Sequence, residues 1–286
     1  MQAKTKGWIN GLLGVLIFSG SLPATRIAVE GFSPFFLTSA RAVIAALLGL
    51  LLLYALKQKR PDKADFISLC LVSIGVVIGF PLLTALALQT ITAAHSIVFI
   101  GLLPFATAFF AVLRGGERPG KLFWLFSLMG SMAVALFALS TSEATSFPGD
   151  LLMLAAIIIC GLGYAEGAAL SRRLGGWQVI SWALLLSLPI MALVAMITLP
   201  DFSSAIAPSA WLGLGYVSVF SMLIGFVFWY RGLAQGGIAA VGQLQLLQPF
   251  FGFFLAFLLL GEHISWSMIA VTLLVIGCVA GARKYA

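Results

Sequence analysis

Residues 104–117 read PFATAFFAVLRGGE, and residues 249–262 read PFFGFFLAFLLLGE. Both stretches begin with proline, continue as an apolar run and end in Gly-Glu, with the glutamate 13 residues after the proline. The apolar runs upstream also match, since Gly79-Phe80 corresponds to Gly225-Phe226. These matches share an offset of 145 to 146 residues, which indicates an internal duplication.

The composition of the chain is that of a membrane protein. Of its 286 residues, 62% are hydrophobic and 9% are charged, and its mean hydropathy is +1.12. A soluble domain has about a quarter of its residues charged. Here the charges lie in short groups between apolar runs, and runs of about 20 apolar residues can cross a bilayer as helices. The chain is therefore predicted to be an all-α polytopic membrane protein.

The apolar runs between charged and turn residues predict ten membrane-spanning helices. The first run is too long for the apolar region of a signal peptide and lacks a clear cleavage site, so it is interpreted as a span. Each half, about 1–145 and 146–286, has five helices, and this odd number inverts the second copy in the membrane. The predicted spans cover about 8–28, 33–56, 66–88, 93–113, 122–140, 149–171, 178–198, 209–233, 238–259 and 265–282.

The basic residues support this topology. With ten spans, one side of the membrane holds both termini and the loops after helices 2, 4, 6 and 8, and it collects 14 of the 16 basic residues. By the positive-inside rule, this side is cytoplasmic. The basic residues on it are Lys4, Lys6, Lys57, Lys59, Arg60, Lys63, Arg114, Arg118, Lys121, Arg172, Arg173, Arg231, Arg283 and Lys284.

The motifs disfavour other classes of protein. The formal charge of +7 lies at helix ends, where orientation signals are expected, and does not indicate a nucleic-acid partner. Residues 115–121 match the GxxxxGK part of a phosphate-binding loop, but Leu122 replaces Ser or Thr and no strand precedes them. HExxH and GxSxG motifs are absent, and Cys70, Cys160 and Cys278 lack metal-ligand spacing. We therefore expect neither an enzyme nor a cofactor.

Inverted repeats are a recurring plan of secondary transporters. In such proteins the substrate binds near mid-membrane between the repeats, and access alternates between the two sides. A channel needs a repeated selectivity filter or a ring of charges, and neither is visible in the sequence. We therefore favour a carrier, whose flux saturates and shows counterflow, over a channel, whose conductance does not saturate.

The chain resembles the EamA-type ten-helix exporters of the drug/metabolite transporter superfamily over essentially its full length. The resemblance rests on the paired Pro…Gly-Glu stretches, on Arg41 in the second helix, and on Gly277 and Gly281 in the closing helix. It implies an exporter in the cytoplasmic membrane of a bacterium. The apolar, Phe-rich character of the chain is similar to that of exporters of aromatic and other neutral amino acids.

Polar residues at membrane depth are candidates for substrate binding. Helix 9 contains Gln243, Gln245 and Gln248, of which the last two share a helix face. These amides can bind the ammonium and carboxylate groups of a zwitterion, or can hydrogen-bond neighbouring helices. Tyr230, near the end of helix 8, and Ser19, midway along the first helix, are further candidates.

Three charged or titratable residues are each open to more than one interpretation. Arg41 can extend to the outer headgroups, anchor a carboxylate or brace two helices. Glu166 is predicted to pair with Arg172 or Arg173, unless it faces inward and binds a proton or an ammonium group. His95, at the outer end of the fourth helix, is either solvated or part of an outer gate.

Aromatic and helix-breaking residues complete the predicted site. Tyr164 and Trp182 are candidates for aromatic cavity walls. The glycine pairs 75/79, 163/167 and 277/281 have GxxxG spacing, which predicts close helix packing inside one chain and is compatible with a monomer. The residues expected to break helices beside the cavity are Gly79, Pro81, Pro104 and Pro249.

The sequence favours a secondary transporter that exports aromatic or other neutral amino acids. The alternative is an exporter of drugs or lipophilic cations, in which Glu166 acts as the counter-ion. A phosphorylated substrate needs central basic residues, and only Arg41 and Arg231 are candidates for that role. The predicted partners are a small-molecule substrate and the lipid bilayer.

Overall fold

A computed structural model describes residues 2–91, 96, 99–141, 146–201, 206–252 and 266–286. Within these residues the secondary structure is helical and contains no strand. The predicted all-α fold is therefore confirmed. The fourth and ninth predicted spans are covered only in part, because residues 92–95, 97–98 and 253–265 lie outside the described residues.

The helices follow the order that the sequence predicts. The first half contains α1 (Gln2–Ser19), α2 (Ser21–Ala28), α3 (Pro34–Ala55), α4 (Phe66–Val72), α5 (Phe80–Ala87), α6 (Leu103–Gly115) and α7 (Lys121–Thr141). The second half contains α8 (Phe147–Leu174), α9 (Gly176–Ile197), α10 (Pro208–Tyr216), α11 (Gly225–Gly236), α12 (Ile238–Gly242) and α13 (Trp266–Tyr285).

Several helical stretches are long and apolar enough to cross a membrane. Within the described residues there are six, and α6 and most of α7 form shorter apolar helices beside them. The chain is therefore a polytopic helical membrane protein. The six stretches are Lys4–Ala28, Pro34–Ala55, Lys63–Ala87, Phe147–Leu174, Gly176–Ile197 and Pro208–Gly236.

Two of these stretches contain a π-helical segment. Ser73–Gly79 joins α4 to α5, and Val217–Ile224 joins α10 to α11. The first segment ends at Gly79 and the second directly before Gly225, the two glycines that the duplication matches. The duplicated sequence thus produces the same local irregularity in both halves. The boundary between the halves at residue 145 stays a prediction, since residues 142–145 lie outside the described part of the chain.

Local sequence explains where several helices start and end. The Ser33 hydroxyl accepts a hydrogen bond from the Phe36 N–H (3.2 Å), and Pro34 fills the first turn of α3. Gly116 ends α6 with a φ of +67°, a left-handed conformation that side chains disfavour. Gly237 separates α11 from α12 with a φ of +97°.

Both termini lie at one end of the helical bundle. The Arg283 guanidinium lies 4.6 Å from the centroid of the Trp8 ring. The Gly120 N–H, after α6, donates a hydrogen bond to the Tyr285 carbonyl (3.1 Å). The predicted common side for the two termini and this loop is therefore confirmed. We call this end, which carries the 14 basic residues of the predicted cytoplasmic side, the basic end.

Helices α1 and α11, from different halves, cross with their backbones in contact near the basic end. A Cβ added at Gly232 would lie 2.5 Å from the Gly11 nitrogen, and one added at Gly7 would lie 2.5 Å from the Gly236 nitrogen. Both helices therefore present a GxxxG pair to the crossing. The sequence analysis named other pairs and missed this one.

The predicted glycine pairs have mixed outcomes. A Cβ added at Gly75 would lie 3.0 Å from the Gly163 Cα, so the close packing predicted there is confirmed. At Gly277 the prediction is wrong, since an added Cβ would have no described atom within 4 Å. GxxxG spacing alone therefore does not identify the buried helix crossings in a chain with 30 glycines.

Candidate substrate cavity

A cavity lies in the interior of the bundle and is lined by both halves of the chain. Its volume is about 40 Å³, which holds a few water molecules. Its walls are mainly apolar and aromatic, with hydroxyl, amide and guanidinium groups among them. The lining residues are Phe18, Ser21, Leu22, Thr25, Arg41, Val76, Phe80, Pro81, Thr84, Ile100, Leu103, Tyr164, Ser221, Phe226 and Gln248.

Two pairs of lining residues are related by the internal duplication. Each pair has the offset of the adjacent matched residues, 146 beside Gly79 and Gly225 and 145 beside Pro104 and Pro249, so equivalent positions of the two halves both line the cavity. The cavity therefore lies between the two halves, where an inverted repeat places the substrate. The pairs are Phe80 with Phe226, and Leu103 with Gln248.

Most of the remaining lining residues belong to the first half. Next to the paired residues several of them lie on the side that points away from the basic end, as Thr84 follows Phe80 and Ile100 precedes Leu103. The cavity therefore extends from the centre of the bundle towards the end opposite the basic end.

Arg41 brings a positive charge to this cavity. Its side chain is buried, with 7% of its surface exposed, and one terminal nitrogen donates a hydrogen bond to the Ser221 hydroxyl (3.2 Å). Its Nε–H has no hydrogen-bond partner among the described residues. No carboxylate of the described residues pairs with it. The interpretation that Arg41 extends to the headgroups is therefore wrong, because the guanidinium faces the interior.

Hydroxyl and amide groups surround Arg41. The Ser21 hydroxyl donates to the Ser221 hydroxyl (2.8 Å), so Ser221 connects helix α2 with Arg41 on α3. The Thr84 hydroxyl is buried without a partner among the described residues. The Gln248 amide donates to the Phe18 carbonyl (3.3 Å). Sequence analysis named Gln248 and missed the serines, since small hydroxyl residues are frequent in membrane helices and carry no distinguishing pattern.

Aromatic rings close the cavity on the side of the basic end. The centroid of the Phe18 ring lies 5.1 Å from that of Phe226 and 6.2 Å from that of Trp229. Tyr164 packs against the same two rings, at 5.9 and 5.5 Å. Tyr164 is thus part of the cavity wall, as the sequence predicts.

Gln243 and Gln245 do not line the cavity. They lie in a 3₁₀-helical segment, Gln243–Leu247, and both amides are fully buried without a hydrogen-bond partner among the described residues. Residues three apart share a face of a 3₁₀ helix, so Gln245 lies directly below Gln248 on the cavity side. Gln243 shares the face of Leu246, which packs against Gly130 on α7.

Three further predicted residues also lie outside the cavity wall. The Tyr230 hydroxyl is fully buried and donates to the Gly163 carbonyl (3.1 Å). The Ser19 hydroxyl donates to the Val15 carbonyl of its own helix (2.7 Å). Trp182 is half-buried on α9 and packs against the hydrophobic core. Whether these side chains face the cavity depends on how each helix is rotated about its axis. The sequence pattern of so apolar a chain does not predict that rotation.

The predicted helix-breaking residues differ in their relation to the cavity. Pro81 lines it directly, two residues after the end of the π-helical segment at Gly79. Pro104 lies in the first turn of α6, next to the lining residue Leu103. Pro249 is buried directly after the lining residue Gln248. His95, the predicted outer-gate residue, lies outside the described residues.

The basic end is closed by ion pairs between the two halves. Three ion pairs form among the described residues, and each joins a residue before position 145 to one after it. They are Asp65 with Arg173, Arg114 with Glu166, and Glu117 with Arg172. The Asp65 and Glu166 side chains are buried, at 0% and 5% exposure, and each is paired with a partly exposed arginine.

The structure corrects the predicted partner of Glu166. The sequence pointed to Arg172 or Arg173, which are close to it along α8, whereas the ion pair is with Arg114 at the end of α6. Arg172 and Arg173 instead pair with carboxylates of the first half. Glu166 is not among the cavity-lining residues.

Glu117 connects the halves in two ways. Its carboxylate accepts hydrogen bonds from the Ile238 and Ala239 N–H groups, both at 2.7 Å, at the start of α12. The same carboxylate lies 2.8 Å from the Arg172 guanidinium. The conspicuous Gly-Glu at the end of the first repeated stretch therefore has a contact function at the basic end. Its counterpart Glu262 lies outside the described residues.

Comparisons with known proteins agree with this architecture. The sequence model of the EamA-like transporter family matches residues 5–139 and 147–282, once in each half. A protein of Bacillus subtilis (strain 168) described as uncharacterized transporter YdeK is 65% identical over the full length of both chains.

More distant relatives include transporters with named substrates. A protein of Chlamydia trachomatis serovar L2 described as an S-adenosylmethionine/S-adenosylhomocysteine transporter is 26% identical, over 93% of this chain and 86% of its own. A probable terminal-alkyne amino-acid exporter of Streptantibioticus cattleyicolor is 21% identical, over 88% and 84%. A solved crystal structure at 20% identity has a TM-score of 0.80 over 98% of this chain and 99% of that one, which shows the same fold.

Proposed function

Because the chain belongs to the EamA-like transporter family, we propose that it exports α-amino acids, chiefly aromatic and other neutral ones, by alternating access through the central cavity. That the protein is a transporter and not an enzyme follows from the family and its relatives. The substrate, the direction of transport and the cytoplasmic membrane of a bacterium as its location are our proposal.

The observation that carries the proposal is the state of Arg41. A buried guanidinium in a membrane protein is costly unless an anion or hydrogen-bond acceptors compensate its charge. Arg41 has one described acceptor, Ser221, and a free Nε–H that borders the cavity. The carboxylate of an amino acid supplies the missing anion and can accept two hydrogen bonds from one guanidinium.

The rest of the wall favours neutral side chains on the substrate. Phe18, Phe80, Tyr164 and Phe226 provide aromatic surface around the cavity. A lipophilic cation would approach the positive charge of Arg41, and Glu166, its expected counter-ion, is already paired with Arg114. These contacts favour the amino-acid exporter over the drug exporter.

The substrates named for two of the relatives belong to the same chemical class. S-Adenosylmethionine and S-adenosylhomocysteine both carry the carboxylate and ammonium groups of an α-amino acid, as does a terminal-alkyne amino acid. An anchor for the carboxylate serves all of these substrates, while the remainder of the cavity distinguishes their side chains.

The closed basic end supports the alternating-access part of the proposal. The cavity points away from this end, where ion pairs and the glycine crossing hold the halves together. A volume of about 40 Å³ is also too small for an amino acid, so the helices must separate when the substrate binds. Opening at the basic end then requires the ion pairs between the halves to part.

Counterflow in proteoliposomes tests this function. The purified protein is reconstituted, preloaded with phenylalanine, and assayed for uptake of labelled phenylalanine, alanine and tetraphenylphosphonium. Phenylalanine amide, which lacks the carboxylate, is the matched competitor. We expect saturable amino-acid counterflow that phenylalanine inhibits and phenylalanine amide inhibits at least about tenfold less well, as expected for the loss of a charge-assisted hydrogen bond.

The drug-exporter alternative makes the opposite prediction. Tetraphenylphosphonium flux that is lost in Glu166→Gln, without amino-acid counterflow, would overturn our proposal and make that carboxylate the substrate-binding group. Conductance that does not saturate would exclude a carrier of either kind.

A further inference from the structure

We propose that Gln245 and Tyr230 form a second binding station for the amino acid, which faces the basic end when that end opens. This inference rests on the proposed function and adds a site to it. The first station is the present cavity beside Arg41. The second uses only neutral hydrogen-bonding groups, an amide and a phenol.

The present cavity is asymmetric with respect to the two halves. Ile100 and Thr84 line it, whereas their equivalents in the second half, Gln245 and Tyr230, do not. The offsets are 145 and 146 residues, the same as for the two pairs of equivalent residues that both line the cavity. Alternating access moves one repeat against the other, and because the two repeats are equivalent we infer that they exchange conformations when access changes sides. Gln245 and Tyr230 then take the positions relative to the cavity that Ile100 and Thr84 have now.

The hydrogen-bonding groups of Gln245 are not satisfied in the present state, and we infer that they are satisfied in another one. Its amide is fully buried, and neither its oxygen nor its nitrogen has a hydrogen-bond partner among the described residues. An amide whose hydrogen-bonding groups are not satisfied inside a membrane protein is disfavoured. The amide lies beside the hydroxyl of Tyr164, and Tyr164 lines the cavity. The Tyr164 side chain therefore separates the Gln245 amide from the present cavity. A movement that displaces the Tyr164 side chain lets the Gln245 amide contact a ligand.

Tyr230 is the second group of the station. Its hydroxyl now donates to the Gly163 carbonyl, and its ring packs against Gly167 and, at 5.3 Å between centroids, against Phe226. Gly163 and Gly167 belong to α8, the helix that also carries Tyr164 and Glu166. Separation of α8 from α11 therefore breaks the hydrogen bond between the Tyr230 hydroxyl and the Gly163 carbonyl, and frees the phenol for a ligand.

The chemistry of the station matches a zwitterion. The Gln245 carbonyl and the phenol oxygen can accept hydrogen bonds from the ammonium group, and the Gln245 NH₂ can donate to the carboxylate. Because neither group carries a charge, the substrate leaves this station without breaking an ion pair.

Cysteine labelling tests the station by its geometry. The three native cysteines are replaced by alanine, and Gln245→Cys, Ile100→Cys and the matched control Gln243→Cys are made one at a time. Each variant is treated with a membrane-impermeant maleimide from outside in intact cells and from the cytoplasmic side in inverted vesicles. Phenylalanine is added as the probe ligand, and a monodisperse peak in size-exclusion chromatography shows that a variant is folded.

We expect Ile100→Cys to react from outside, Gln245→Cys to react from the cytoplasmic side, and Gln243→Cys to react from neither. Saturating phenylalanine should slow both reactions about tenfold, as expected when a bound ligand excludes the reagent. Labelling of Gln245→Cys from neither side, or at the same rate as Gln243→Cys, would contradict the proposal of a second binding station. Sided labelling without protection by phenylalanine would support the exposure of Gln245 but contradict the proposed substrate, so the two failures are distinguishable.

Discussion

The basic end and the central cavity differ in whether their buried polar groups have partners within the chain. At the basic end, the buried carboxylates of Asp65 and Glu166 each pair with an arginine from the other half, and Glu117 joins an arginine to two backbone N–H groups. In the cavity, the Arg41 Nε–H and the Thr84 hydroxyl have no partner among the described residues. In the first region the chain supplies the partners of its buried polar groups, and in the second it leaves polar groups without a partner among the described residues.

This difference separates residues that hold a conformation from residues that bind. A buried group with its partner supplied by the chain stabilises one arrangement of the helices, and losing the partner leaves an uncompensated charge. A buried group without a partner destabilises the empty cavity, and a ligand that supplies the missing contact binds more tightly. The four predictions below use this contrast, beginning with the largest effect.

Substitution of Arg41 should have the largest effect on transport. Arg41→Gln removes the positive charge but keeps a polar side chain, so the substrate carboxylate is buried without its anchor. We expect about a 100-fold loss of amino-acid counterflow efficiency, in line with the cost of removing one partner of a buried charge pair. The control is Arg26→Gln, since Arg26 bonds to the Leu88 carbonyl and does not line the cavity. Equal effects of the two substitutions would contradict the anchor.

The glycine crossing at the basic end predicts a large effect on stability. Gly232→Ala places a methyl group 2.5 Å from the Gly11 backbone nitrogen, so α1 and α11 must move apart. We expect a loss of about 2 kcal/mol in the free energy of unfolding, measured by unfolding in detergent. Gly277→Ala is the matched control, because its methyl group meets no described atom within 4 Å. If both variants unfold alike, the crossing does not hold the basic end together.

The contacts of Glu117 predict a change in access. Glu117→Ala removes the acceptor of the Ile238 and Ala239 N–H groups and the partner of Arg172. In a background without native cysteines, Ala168→Cys reports access, because Ala168 is fully buried one turn beyond Tyr164 towards the basic end. We expect its labelling from the cytoplasmic side to rise about tenfold, as for the loss of a charge-assisted hydrogen bond.

The control for this experiment is Glu30→Ala. Glu30 is exposed between α2 and α3, at the end opposite the basic end, and its removal should leave the labelling rate unchanged. An unchanged rate in Glu117→Ala itself would show that this carboxylate does not keep the basic end closed.

The sequence was a good guide to the fold and to the closed end. Charges are rare in this chain, so their positions alone predict which loops share a side, and the contact of Gly120 with Tyr285 confirms it. The duplicated Gly-Glu motif also pointed to Glu117. Its contacts could not be predicted, because the residues that it binds, at the start of α12, lie 121 residues away in the chain.

The sequence was a weaker guide to the cavity. It suggested Gln245 and Gln248 as a pair on one helix face, but the present cavity reaches only Gln248, and Gln245 lies one turn further towards the basic end. It offered neighbours in α8 as partners of Glu166, whereas Arg114 on another helix is the partner. In helices with apolar residues on every face, hydrophobic periodicity does not indicate rotation, so the side chains that meet in the interior are decided by packing between helices.

Thr84 gives the smallest and most discriminating of the four effects. Thr84→Val replaces the unpartnered hydroxyl at the cavity with a methyl group of similar size. If the hydroxyl binds the substrate, the half-saturating concentration of phenylalanine should rise about threefold to tenfold, the range for one lost hydrogen bond. Ser131→Ala is the control, because the Ser131 hydroxyl is also buried without a partner among the described residues but lies on α7, away from the cavity. The control should leave transport unchanged, since its hydroxyl has no access to a ligand. An unchanged half-saturating concentration in both variants would mean that a missing partner is a general property of hydroxyls in this bundle, and Arg41 would then be the only part of the contrast that concerns binding.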